Sequence, residues 1–250
     1  MELSSQELEQ LINAKNLLTQ PSMVDKLNKI AGNALMGAID KMSTPAVMNK
    51  IANITQSAIE KAADVALFSI DKELTTSSKF SNNLHKGLAI LSGVGGGFFG
   101  LVGFSVELPA ITILILRSIA DIARIKGLDI DLVETKLDCL NVLGYSRSSS
   151  SHDLDVNNYF ESRLELLGLM ATGTNMLSRT ISRVAAYFAM DALDLAAAQS
   201  IPLVGAASGG AVNYIFMKHY QDIADGYFTI RMLEKQYGTE FIQNVYENIT

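Results

Sequence analysis

Residues 93–109 read GVGGGFFGLVGFSVELP, a run of glycine and apolar side chains that closes on Glu107 and Pro109. So few polar groups rule out a surface loop. So much glycine departs from an ordinary helix, because each glycine in a helix interior costs about 1 kcal/mol against alanine. What glycine supplies is close backbone approach. Gly93 and Gly97, like Gly96 and Gly100, are four apart, a spacing that sets two positions without a Cβ on one helix face. The stretch IPLVGAASGGAVNY (201–214) repeats the device with Gly205–Gly209, Ala206–Gly210 and Ala207–Ala211. Two helices with matching small-residue faces are expected to pack together at short axial distance.

The flanking sequence is helical throughout. Ser4 and Glu7 have capping-box spacing, and Leu8, Leu11 and Leu18 follow at helical intervals before Pro21. A second helix is expected to carry Leu27, Ile30, Ala34, Ala38 and Met42. Thr44 before Pro45 is an N-cap with proline at the first helical position, and Met48, Ile51, Ala58, Ile59, Ala62 and Ala66 form the stripe that follows. No long stretch alternates with period two, so the fold class is all-α: a helical bundle with a glycine-rich apolar helix pair at its centre, sheathed by amphipathic helices. Residues 1–74 read as an N-terminal amphipathic layer. Residues 75–250 read as the main helical domain, joined through the polar connector TTSSKFSNN (75–83) and interrupted by a serine-rich, mobile loop at 145–155.

Bulk composition narrows the function. The net charge is −6 and no basic run occurs, so the phosphate-neutralising patch that nucleic-acid binding requires is missing, and so is simple electrostatic adhesion to anionic lipid. The single cysteine, Cys139, closes no intramolecular disulfide, and its helical setting, VETKLDCLNVL, reads as a buried structural thiol. The start, MELSSQELEQL, is not a signal peptide, and a cytoplasmic location, or a peripheral one at the inner face of the membrane, is expected. Lys86 to Glu107 and Asp194 to Lys218 enclose two uncharged runs long enough to cross a bilayer. Their glycines contribute little transfer energy, and charges interrupt most other helices, so a soluble or peripheral protein is expected rather than a multi-pass one.

The pattern GGGFFGLVGFSVELP running into LRSIADIARIKGLD, with IPLVGAASGGAVNYIFMKHY running into GYFTIRMLEKQYG, resembles the EcsC family, named for a protein encoded beside a bacterial ABC transporter. The resemblance covers roughly residues 85–240. It departs where the family usually has aspartate before Leu-Pro and this chain has Glu107. It implies a bacterial helical protein tied to membrane transport or secretion, with no established catalytic residues to carry over.

The remaining candidates are charges set in apolar helices. Glu107, Arg117, Asp121 and Arg124 fall within a sector of about 100° on one helix, and Asp121 is within reach of both Arg117 and Arg124. His219 and Asp222 are three apart, too common a spacing to mark a metal or acid–base site. No P-loop, HExxH or GxSxG occurs, and the aromatic-rich final third reads as core. The residues singled out as structural or functional candidates are Gly96, Gly100, Glu107, Pro109, Arg117, Asp121, Gly205, Gly209, Asn213, His219, Asp222, Arg231 and Glu234. None is assigned to catalysis, a cofactor or a metal. The leading expectation is a non-enzymatic protein whose partners are membrane lipid or a membrane complex, with no nucleic acid. A helical hydrolase built on Glu107, Asp121, His219 and Asp222 is one alternative, which requires those side chains to converge. A membrane-inserting, pore-forming protein is the other.

Overall fold

Three of the first four helices begin on a side-chain cap, and a glycine separates the second from the third. The structure, a computed structural model, describes residues 2–68, 100–145, 158–171, 173 and 175–249. Helix α1 (Ser5–Leu18) starts on the expected capping box: the Glu7 N–H donates to Ser4 Oγ at 3.3 Å, and the Ser4 N–H donates to Glu7 Oε2 at 2.9 Å. Helix α2 (Met23–Ala31) uses the same device with Asp25 answering Ser22. The second expected helix is in fact two. Gly32 takes φ +57° and ψ −151°, a conformation open to glycine, and divides α2 from α3 (Asn33–Met42). The stripe drawn straight through that point fails accordingly: Leu27 and Leu35 are buried, whereas Ile30 is exposed.

Helix α4 (Pro45–Ala63) starts on the Thr44 cap with Pro45 in the first turn and runs into one π-helical turn, Asp64–Phe68. Its buried face is Ile51, Thr55, Ala58, Ile59 and Ala62. Helix α5 (Gly100–Ile125) packs against that face and continues through Pro109, where the Thr112 hydroxyl donates to the Leu108 carbonyl at 2.7 Å. Phe104, Leu108, Ile111, Ile115 and Ile119 recur every three or four residues along α5, and all are buried. Helices α6 (Val133–Leu143), α7 (Asn158–Ala171), α8 (Met176–Gln199), α9 (Pro202–Tyr237) and α10 (Thr239–Asn248) complete the bundle, and no strand occurs among the described residues. The all-α expectation therefore holds. Cys139 lies fully buried on α6, and burial pushes its thiol pKa up, in keeping with a structural role.

Helix α9 is the axis. Its 36 residues extend about 54 Å at 1.5 Å per residue, and α1, α2, α5, α6, α8 and α10 all pack on it. Helices α5 and α9 run parallel: Glu107 meets Asn213, Ser118 meets Gln221, and Lys126 meets Asp225. Helices α1 and α8 run antiparallel to it, as Glu7 meets Tyr237 and Asp191 meets Tyr220. Gly96 lies outside the described residues. Gly100, Gly205 and Gly209 lie within α5 and α9, which do pack together, but the surroundings of these glycines also lie outside what is described, as does the 146–155 part of the serine-rich loop.

The closest backbone approach among the described glycines is elsewhere. A Cβ on Gly226 of α9 would stand 2.9 Å from the Ala14 carbonyl oxygen and 3.0 Å from Leu18 Cγ, so this glycine is what lets α1 lie against α9. Gly226→Ala is expected to lower stability by about 1–3 kcal/mol through overpacking against the α1 backbone, although alanine is the better helix former. Urea unfolding of the two proteins measures this.

Candidate functional site

Three polar clusters lie along α9, each about two turns from the next. The first joins Glu107, Gln199 and Asn213. The Asn213 amide and the Gln199 amide each donate to Glu107 Oε1 at 2.9 Å, and the Gln199 amide also reaches Asn213 Oδ1 at 3.1 Å. It ties α5, the C-terminal end of α8 and α9 at one level. Glu107 and Asn213, both singled out in the sequence, are brought together here. Gln199 was missed, because a glutamine at a helix end carries no signal of its own.

The second cluster surrounds His219 and Tyr220. His219 is buried and its Nδ1 lies 3.1 Å from Lys26 Nζ, which also donates to Gln20 Oε1 at 2.9 Å. Burial first, then the Lys26 charge, push the imidazole pKa down to about 3, so His219 is neutral near pH 7 and accepts from the ammonium. The Tyr220 hydroxyl donates to Asp191 Oδ2 at 2.5 Å. Asp222 pairs with Lys218 one turn back.

The third cluster is the largest and the most deeply buried. Asp138 Oδ1 receives the Arg163 guanidinium and, at 2.9 Å, the Tyr227 hydroxyl, while Arg231 Nε approaches Asp138 Oδ2 at 3.4 Å. Both arginines also reach Glu134 Oε1, Arg163 at 3.0 Å and Arg231 more closely. Glu234 accepts from the Tyr159 hydroxyl at 2.9 Å and lies 3.4 Å from Arg231 Nη1. Asn141 extends the network to Tyr227, Ser162 and Arg183, and Arg183 pairs with Glu165 at 2.8 Å. Burial pushes the Asp138 and Glu234 carboxyls up while the arginines and tyrosines draw them back. Burial also holds the Tyr159 and Tyr227 phenols far above their usual range, which fixes both as donors. Of these residues only Arg231 and Glu234 were singled out. Glu134, Asp138, Tyr159, Arg163 and Tyr227 sit on three separate helices, and no one of these helices taken alone shows that their polar groups meet.

Helical rise separates the side chains that the hydrolase alternative needs together. His219 and Asp222 lie six and nine residues beyond the Glu107–Asn213 level on α9, and Asp121 lies fourteen beyond Glu107 on α5, so the groups spread over roughly 9 to 21 Å along the bundle. Asp121 is bound instead by Arg124 at 2.6 Å, with Arg117 close enough to act on its charge. Among the described residues no group of three or more His, Cys, Asp or Glu side chains is arranged to hold a metal ion. What the third cluster does is fix register. Its fork-shaped guanidinium donors and carboxylate acceptors satisfy one another across α6, α7 and α9.

Two substitutions separate buried from exposed charge. Asp138→Ala leaves two guanidinium groups without the more deeply buried of their two shared acceptors and is expected to destabilise by about 3–5 kcal/mol. The Asp121–Arg124 pair is about one-third exposed on both sides, at 33 % and 37 %, and Asp121→Ala is expected to cost about 0–1 kcal/mol. Chemical denaturation checks both.

No curated protein and no solved structure matches the chain. A family model described as the EcsC protein family matches residues 2–233, from the cap of α1 to near the end of α9, and on that match the chain belongs to the EcsC family.

Proposed function

We propose that this is a non-enzymatic helical protein that associates with a membrane, or with a membrane transport or secretion complex, through the uncharged pole of its bundle. One observation carries the reading: α5 and α9 run parallel and meet at Glu107 and Asn213, so the uncharged first turns of the two helices, residues 100–106 and 202–212, lie at the same end of the bundle. The second uncharged run begins at the C-terminal end of α8, which arrives there through Gln199. Val106 and Tyr214, the neighbours of the knot, are 68 % and 61 % exposed, which presents apolar surface at that level. Each such side chain contributes roughly 1.5–3 kcal/mol when it leaves water. With a net charge of −6, contact with lipid would be apolar rather than electrostatic, and peripheral: no helix among the described residues is long and apolar enough to cross a membrane.

Flotation with phosphatidylcholine vesicles tests this. The protein is expected to float with the vesicles in high salt, and Val106→Glu with Tyr214→Glu is expected to reduce the bound fraction at least tenfold while the helical circular dichroism stays unchanged. Retention by native membranes but not by protein-free vesicles would assign the contact to a membrane complex. Equal flotation of the double variant and the parent would remove the uncharged pole as the contact.

A further inference from the structure

Helix α2 packs on α8, where Asp194 lies one turn from Asp191, and Asp25 in the first turn of α2 is close enough to act on its charge. Two of these carboxylates have hydrogen-bond donors. Asp191 receives the Tyr220 hydroxyl, and Asp25 Oδ2 receives the Ser22 hydroxyl at 2.6 Å and the Ser22 N–H at 3.2 Å. Lys26, the neighbouring cation on α2, directs its ammonium to Gln20 and His219. On the α9 side the groups facing this seam are His219, Tyr220, and the mutually paired Lys218 and Asp222, while Lys29 of α2 also acts on Lys26. Among the described residues, no titratable side chain of α3, α4, α5, α6 or α7, which also pack on α8, adds to the charges acting on Asp194. Asp194 is thus half-buried beside two like charges, a setting in which a carboxyl keeps its proton.

We propose that the seating of α2 on α8 is proton-linked, with Asp194 holding a proton while α2 is docked and losing it as α2 loosens. Burial, reinforced by Asp191 and Asp25, raises this carboxyl to about 7. The sign follows from that direction. A carboxyl raised in the docked state contributes stability that is complete below its free value of about 4 and is lost as pH rises through about 7. His219 works the other way. Its imidazole is depressed when α2 covers it, so its contribution is lost as pH falls below about 6.5. The two opposed groups place the tightest docking in the mildly acidic range, and release above it uncovers the apolar face of α2, Met23 and Leu27.

Hydrogen exchange read by mass spectrometry, with rates divided by the intrinsic rate at each pH, isolates the Asp194 contribution. Asp194→Asn removes the titration but keeps the size of the side chain, and the variant and the parent share His219. The ratio of variant to parent protection over residues 23–31 is expected to rise about tenfold between pH 6 and pH 8. Protection over Thr239–Asn248, on α10, is expected to keep a constant ratio and to report that the variant is folded. Asp25→Asn, which retains an acceptor for Ser22 but removes one like charge, is expected to shrink the pH response of the parent. A ratio that is the same at both pH values, or an unaltered response in Asp25→Asn, overturns the proposal.

Discussion

Two guanidinium groups sharing two carboxylates fix the lower half of this bundle. Arg163 and Arg231 come from α7 and α9, Glu134 and Asp138 from α6, and each arginine reaches both acids. Apolar burial holds these helices together but is indifferent to a slide of one turn. The ionic network is not, because a shift of about 5 Å along α9 would leave Asp138 buried without its partners. The network thus selects one packing among several that the apolar core would tolerate. Its tyrosines add to the selection: the Tyr159 and Tyr227 rings meet edge to face at 4.8 Å, which places both hydroxyls on their carboxylates.

Polarity changes character along α9. At Asn213 the bonds are amide to carboxylate, at His219 and Tyr220 they involve a neutral ring and a phenol, and from Tyr227 to Glu234 phenol–carboxylate bonds are joined by arginine–carboxylate pairs. Among the described residues, ion pairs along α9 begin only at Lys218, beyond the Asn213 level.

Local rules in the sequence predicted much of this and missed what depends on neighbours. The Ser4–Glu7 box, the Thr44–Pro45 start and the stripe of α4 are one-helix features, and all are present. Gly32 was passed over because apolar residues recur on both sides of it, and only its positive φ breaks the run. Gly226 was passed over for a different reason: a single glycine in DGYF shows its purpose only when the carbonyl of Ala14 is known to lie beside it. The Glu107–Asn213 knot was half legible, since both residues border glycine-rich runs. The ionic network was least so. Glu134 and Asp138 have ordinary helical spacing, and the one hint was that Leu137, Cys139, Leu140, Val142 and Leu143 leave α6 no polar face on which to place them.

The docking of α1 has a consequence for how the protein is made. Its last turn is tied to residues synthesised far later: Lys15 Nζ donates to the carbonyls of Tyr246 and Ile249, and Leu18 packs at Gly226. At about 5–20 residues per second, the ribosome adds the matching surface on the order of tens of seconds after α1 has emerged. During that interval Leu11 and Leu18, both buried in the finished protein, have no partner on α9. The fold around α1 therefore closes only once α9 and α10 have been made.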